Sequence, residues 1–168
     1  LPHAREAWQA KVDQMMPLLG DRNWILIVDS AYPLQTSPGV ETIETNASQI
    51  DVVRKVLNDI QHSIHVRPTV YVDAELPFVT EQDAPGVTHY REEIKAVLGN
   101  RKTTALPHEK NIADIDVAGR AFKILVLKTN LAIPYTSVFL RLDCKYWSDS
   151  AEERLRSVMK YSNVLEVS

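Results

Sequence analysis

Residues 20 to 33 read Gly-Asp-Arg-Asn-Trp-Ile-Leu-Ile-Val-Asp-Ser-Ala-Tyr-Pro, a polar turn followed by an unbroken apolar run that ends in a carboxylate. Trp24, Ile25, Leu26, Ile27 and Val28 show no polar alternation and are rich in β-branched side chains. That is the pattern of a strand covered on both faces, so the run predicts the central strand of a sheet. Asp29 stands at its carboxyl end, where open α/β sheets bind ligands, and Ser30, Tyr32 and Pro33 lead into a loop. Asp21 and Arg22 lie in the turn at the other end. A five-residue strand spans roughly 17 Å. Asp21 and Asp29 therefore share one pocket only if the loops fold back or another subunit supplies one of them.

Outward from this strand, helical and extended patterns alternate. Residues 4 to 16 place Trp8, Val12, Met15 and Met16 at helical spacing ahead of Pro17 and Gly20, which stop a packing helix. After Pro38-Gly39, residues 40 to 43 read as a short strand. Asn46 or Ser48 can cap a helix whose Ile50, Val53, Leu57, Ile60 and Ile64 form one apolar stripe. Pro68 is expected to end that region, and Thr69 to Val72 make a second apolar strand that finishes at Asp73, with Glu75 close behind. A long loop over residues 74 to 86 precedes a helix capped by Thr88, with Tyr90, Ile94, Val97 and Leu98 inward and Gly99-Asn100 as its stop.

Residues 103 to 106 read as a strand leading into Pro107-His108-Glu109. Ile112, Ile115, Ala118 and Phe122 then predict another helix, weakened near its end by Gly119. Residues 123 to 128 and 138 to 142 read as the last two strands. Residues 148 to 160 predict a capped amphipathic helix with Leu155, Val158 and Met159 buried. The class is α/β, a single domain over residues 1 to 168, with a largely parallel sheet flanked by helices.

At 168 residues, 45% hydrophobic and 24% charged, the chain is long enough for one sizeable core. A net charge of −3 without any basic stripe argues against nucleic acid as a partner. No apolar run reaches the roughly 20 residues needed to span a bilayer, so no membrane partner is expected. Cys144 is the one cysteine, which excludes an internal disulfide and favours a reducing, cytoplasmic compartment. The first residue is Leu1 rather than Met, and export is the alternative kept beside that expectation.

Several residues could carry chemistry. Asp29 and Asp73 both follow strands, although each could equally cap the next turn. His108 beside Glu109, at a strand-to-helix junction, could serve as acid, base or ligand. His62 and His65 are three apart, but no further ligand pattern supports a metal there. Tyr135, Thr136 and Ser137 cluster hydroxyls ahead of the last strand, which suits a sugar or another polyol. No nucleophile elbow, P-loop or dinucleotide fingerprint occurs.

Taken in order, the residue 20 to 33 stretch, the His108-Glu109 pair, Ala-Phe-Lys-Ile-Leu-Val-Leu-Lys-Thr at 121 to 129 and Pro-Tyr-Thr-Ser-Val-Phe-Leu at 134 to 140 resemble the ribose pyranase and fucose mutarotase family, RbsD/FucU. The likeness covers residues 18 to 45 and 118 to 142, and against the family's usual end residues 148 to 168 are a C-terminal helical extension. It implies an RbsD-like fold and an isomerase that interconverts ring forms or anomers of a free monosaccharide such as ribose or fucose, without a cofactor or metal. It further implies a homo-oligomeric ring such as a decamer, with sites shared between subunits. Carried over by position, it makes Asp21, His108 and Tyr135 the catalytic candidates, and Asp29, Arg22, Glu75, Thr136 and Ser137 the sugar-binding ones.

The chain departs from the family pattern at three places. The family's catalytic histidine falls on Asp21, its late asparagine falls on Ser137, and the interval from His108 to Tyr135 is longer. The first matters most. Opening a cyclic hemiacetal delivers one proton to the ring oxygen and removes another from the anomeric hydroxyl. An aspartate with a reference pKa of about 3.9 is ionised at neutral pH and accepts protons without readily donating them. The departure predicts either a shifted division of labour, with His108 or Tyr135 as acid, or a non-catalytic carbohydrate-binding or regulatory protein. A third reading is a metal-dependent enzyme using Asp29, Asp73, Glu75 and His108.

Overall fold

The computed structural model describes the backbone of residues 2–162 and side chains from residue 7 onward. The run at 24 to 28 forms β1 (Trp24–Val28), and Ile25 to Val28 are fully buried. Around it, in chain order, are α1 (Pro2–Met15), β2 (Val40–Glu44), α2 (Gln49–His62), β3 (Val66–Asp73), α3 (Val87–Leu98), β4 (Thr103–Leu106), α4 (His108–Ala118), β5 (Ile124–Lys128), β6 (Val138–Cys144) and α5 (Asp149–Tyr161). The strands make one sheet in the order β2-β5-β1-β6-β3-β4. β1 is indeed internal, between β5 in parallel and β6 in antiparallel register.

Alternation along the strands divides the core into two layers. Ile25, Ile27, Leu125, Leu127, Val138 and Leu140 face the helices α1 to α3, packing with Trp8, Val12, Val53, Ile60, Tyr90 and Ile94. Leu26, Val28, Val126 and Phe139 face the other way, toward Ile115 of α4 and Tyr32 of the loop after β1. Each fully buried Leu, Ile or Phe contributes about 1.5–3 kcal/mol of transfer free energy. Both faces of β1 and β5 are therefore committed to packing.

Only β6 runs against the others: it is antiparallel to both β1 and β3, with Ile27 opposite Val138 and Val72 opposite Val138. The carboxyl ends of β1, β3, β4 and β5 and the start of β6 consequently meet at one edge of the sheet. The turn at residues 20 to 23 meets the far end of β6 at the opposite edge, where Arg22 N donates to Leu142 O at 2.9 Å.

Some expectations are corrected. Ser48, not Asn46, caps α2, accepting from Asp51 N. That helix stops at His62, so Ile64 lies beyond the stripe and is exposed. Pro68 sits inside β3 rather than ending anything. It pairs only with β6 there, because β4 joins from Val70 onward, and a strand open on one side tolerates a missing N–H. Thr88 does not cap α3. The Glu81 carboxylate, reaching from the preceding loop, accepts from Gly86 N at 2.6 Å and Thr88 N at 3.0 Å.

α4 ends at Ala118 because the chain must pass Gly39, whose N–H donates to Gly119 O at 2.7 Å. A Cβ on Gly39 would stand 2.2 Å from Phe122 O, so the close approach requires glycine. Phe122 thus falls outside the helix and is partly exposed. α5 forms with Ser148 as its cap, but no residue of it is buried: Leu155 and Val158 are exposed. Periodicity produced the helix, and no other element among the described residues covers its apolar stripe. Residues 163–168 of the expected C-terminal extension lie outside the described residues.

Candidate functional site

At the carboxyl edge, β3 ends in Asp73, whose side chain has no exposure. β4 ends two residues before His108, the first residue of α4. The parallel β3–β4 register places Asp73 opposite Leu106, which brings the carboxylate under the new helix. Asp73 Oδ2 lies 2.7 Å from His108 Nδ1, and Asp73 Oδ1 accepts from Asn111 Nδ2 at 3.0 Å. Asn111 follows His108 by three, so both side chains leave the helix on one side. The asparagine also donates to Val72 O at 3.1 Å. A buried carboxylate held in this way fixes the imidazole with its proton on Nδ1 and leaves Nε2 available.

Burial raises the Asp73 carboxyl above its ordinary value, while Asn111 and His108 pull it back. Glu75 does not face the edge freely. Its two oxygens accept from His108 N at 3.0 and 3.1 Å, which ties off an orphan donor of the first turn of α4.

Two aromatic side chains stand edge-on to the imidazole. Tyr135 has its ring centroid 5.5 Å away, and Tyr32 lies at 6.5 Å from the other loop. Tyr135 is 38% exposed and Tyr32 only 3%. The Tyr32 hydroxyl donates to Gln35 Oε1 at 2.8 Å, and burial, with Asp73 and Asp29 close by, pushes its phenol above its ordinary value. Asp29 completes the group. Half-burial raises its carboxyl, offset by N–H groups of Ala31 and Asp29 and by the charges of His108 and Lys128.

Asp29, His108 and Tyr135 thus converge at one edge within a single chain. Thr136 and Ser137 follow Tyr135 into β6 and are buried, at 1% and 2% exposure. The Thr136 hydroxyl donates to Ile133 O at 2.8 Å, whereas the Ser137 hydroxyl has no hydrogen-bond partner among the described residues. A buried hydroxyl without a partner is a group that a ligand or water can satisfy.

Asp21 and Arg22 are elsewhere. Their side chains lie 3.7 Å apart and well exposed at the amino edge, with the Arg22 guanidinium also 5.6 Å from the Phe122 ring. Asp21 lines an open cleft of about 720 Å³ together with Arg67, Tyr71, Arg141 and Trp147. Nor do His62 and His65 form a metal pair: His65 Nε2 sits 2.9 Å from Leu19 O, and His62 Nδ1 sits 2.8 Å from Asn58 O. Among the described residues, no three of His, Cys, Asp or Glu gather in a geometry that could hold a metal ion. The oxygens of Asp73 and Glu75 already accept from His108, Asn111 and the helix backbone. No helix among the described residues is long and apolar enough to cross a membrane.

Tyr32 and Asn111 were not legible as site residues. Asn111 could have been found from its spacing to His108 at the start of a helix. Tyr32 carried no signal of its own, because only the return of the loop after β1 over α4 brings it to the imidazole.

No protein-family model and no curated protein matches the chain in sequence. Solved structures do. RbsD of Bacillus subtilis complexed with D-ribose superposes with a TM-score of 0.55 at 14% identity, covering 79% of this chain and 91% of that one. The fucose mutarotase of Streptococcus pneumoniae in complex with L-fucose gives 0.51 at 15% identity, over 77% and 89%. FucU from Bifidobacterium longum gives 0.51 at 13% identity, over 80% and 94%. The chain shares the RbsD/FucU fold, as the residue pattern implied.

Proposed function

We propose that the carboxyl edge of the sheet binds a free monosaccharide and interconverts its ring forms or anomers by general acid/base catalysis. The observation that carries this reading is the convergence of an oriented imidazole, a half-buried carboxyl and a phenol on one edge. Ring opening moves one proton from the anomeric hydroxyl and another to the ring oxygen, and it needs no electron carrier. His108, held by Asp73 with Nε2 free, is suited to either transfer. Asp29, whose burial favours the protonated form, is suited to the complementary one. Tyr135, more than a third exposed, offers a hydroxyl to the sugar.

This assignment moves the proton chemistry off Asp21. The amino-edge turn takes part only if it is presented by a neighbouring subunit, so we place Asp21 and Arg22 at the rim of another chain's site in a ring. The sugars bound in the B. subtilis and S. pneumoniae structures make ribose and fucose the first substrates to test. Saturation-transfer NMR should reveal faster exchange between the anomers or ring forms of at least one of them. Binding without faster exchange for any sugar would leave the second reading, a non-catalytic carbohydrate-binding protein, which the aspartate at position 21 favours.

A further inference from the structure

The pairing of β1 with β6 ends at Ile27 and Val138, so both strands lose their mutual hydrogen bonds just before the residues that form the site. Beyond that last rung the gap is bridged by one side chain. Gln49, the first residue of α2 and 2% exposed, donates from Nε2 to Ile27 O at 3.0 Å and to Thr136 O at 2.9 Å. Its Oε1 lies 2.9 Å from the hydroxyl of Thr129, just past the end of β5, and the one proton of that hydroxyl is shared between Oε1 and Val28 O at 3.0 Å. A single amide therefore joins the ends of β1, β5 and β6, with both donors and its acceptor occupied. Thr136 O takes a second hydrogen bond from the buried Tyr90 hydroxyl of α3, at 3.0 Å.

Thr136 is the residue after Tyr135, and Tyr135 has a φ of 61°. A left-handed backbone is uncommon for a bulky aromatic residue and persists only where its surroundings impose it. Two buried donors on the next carbonyl are such an imposition. With them in place the ring stands edge-on to His108.

We propose that Gln49 and Tyr90 are positioning residues that hold Tyr135 in its left-handed conformation and so set its ring against His108. Neither side chain touches the sugar; both act through the Thr136 carbonyl. A glutamine is required at position 49 because the junction presents two acceptors and one donor, which Glu, Met or Leu cannot match. The inference rests on the reading of the edge as a sugar site.

The test compares wild type with Gln49→Met and Tyr90→Phe, each with and without Tyr135→Phe. The three-bond HN–Hα coupling and Cα shift of Tyr135 report its φ whether or not the protein turns over. Either variant should move them toward ordinary negative-φ values, and unchanged values in both overturn the inference. Where wild type accelerates sugar exchange, each variant should lower the saturated rate about tenfold. That loss should shrink toward none in the Tyr135→Phe background, because coupled residues are non-additive. Full multiplication of the losses would mean a general structural role and would also overturn it. Should Gln49→Met fail to fold, Tyr90→Phe, which removes one oxygen, carries both readouts. If wild type shows no exchange activity, the proposed function fails while the coupling still decides this inference.

Discussion

Asp73 Oδ2 stands 2.7 Å from His108 Nδ1, and the carboxylate is fully buried while the imidazole keeps a fifth of its side chain exposed. The pair is asymmetric: one member cannot reach solvent, and the other presents its remaining nitrogen at the edge of the sheet. Replacing Asp73 with Asn puts an amide that can donate opposite Nδ1 and favours the other tautomer. Exchange rates at saturating sugar should fall by roughly 100-fold or more, while sugar titrations followed by NMR should show affinity within a few-fold of wild type. Comparable exchange rates would remove the imidazole from the mechanism.

Asp29→Asn separates function from stability. The folded protein raises the Asp29 carboxyl above 3.8 through burial, so the folded state holds that proton more tightly than the unfolded one. The resulting stabilisation is present below the unfolded value and is lost as pH rises through the folded value. Once ionised, that half-buried carboxylate is a burden that an amide does not carry. Thermal unfolding should show the Asp29→Asn variant gaining on wild type as pH rises from about 4 toward 7, while sugar exchange is lost. A gain that grows instead toward acid would contradict the assignment.

Asp21 and His108 lie at opposite edges of one chain, so in the proposed ring their defects would be complementary. Asp21→Asn and His108→Asn proteins should each be impaired alone. Mixing them after dissociation and reassembly should restore part of the exchange rate, since some interfaces regain both native residues. Absence of any recovery in mixed, reassembled oligomers would place all of the chemistry within one chain.

Gly39→Ala should destabilise the fold strongly, because its Cβ would meet the backbone oxygen of Phe122 at 2.2 Å. Urea titration should show a loss of about 3 kcal/mol. Leu155→Ala, on the exposed face of α5, should by contrast change stability by less than about 0.5 kcal/mol. Leu127→Ala in the core should cost about 2–5 kcal/mol. A large loss at Leu155 would show that α5 is covered in solution.

Much of the architecture was legible because it depends on local pattern. The unbroken run at 24 to 28, the stripe of α2 and the cap at Ser48 follow from burial and spacing within a few residues. Ile64 and Phe122 misled because apolar periodicity continues past the true helix ends, which are set by Ser63 and by the Gly39–Gly119 contact. Leu155 and Val158 misled for a different reason. An apolar stripe states what a helix can bury, and only packing decides whether something covers it. Asp29, His108 and Tyr135 were each visible as polar residues at strand ends, but their common location was not.

The central strand, the α/β alternation and the identity of the polar groups at the strand ends follow from side-chain chemistry at short range, and so are written in the order of residues. Which ends face one another depends on long-range strand pairing. β6 runs antiparallel to its neighbours, and that reversal carries Tyr135 to the edge of Asp29 and His108 rather than to that of Asp21. Strand direction is set by pairing between residues distant in the chain, as at Ile27 and Val138, and no local spacing encodes it.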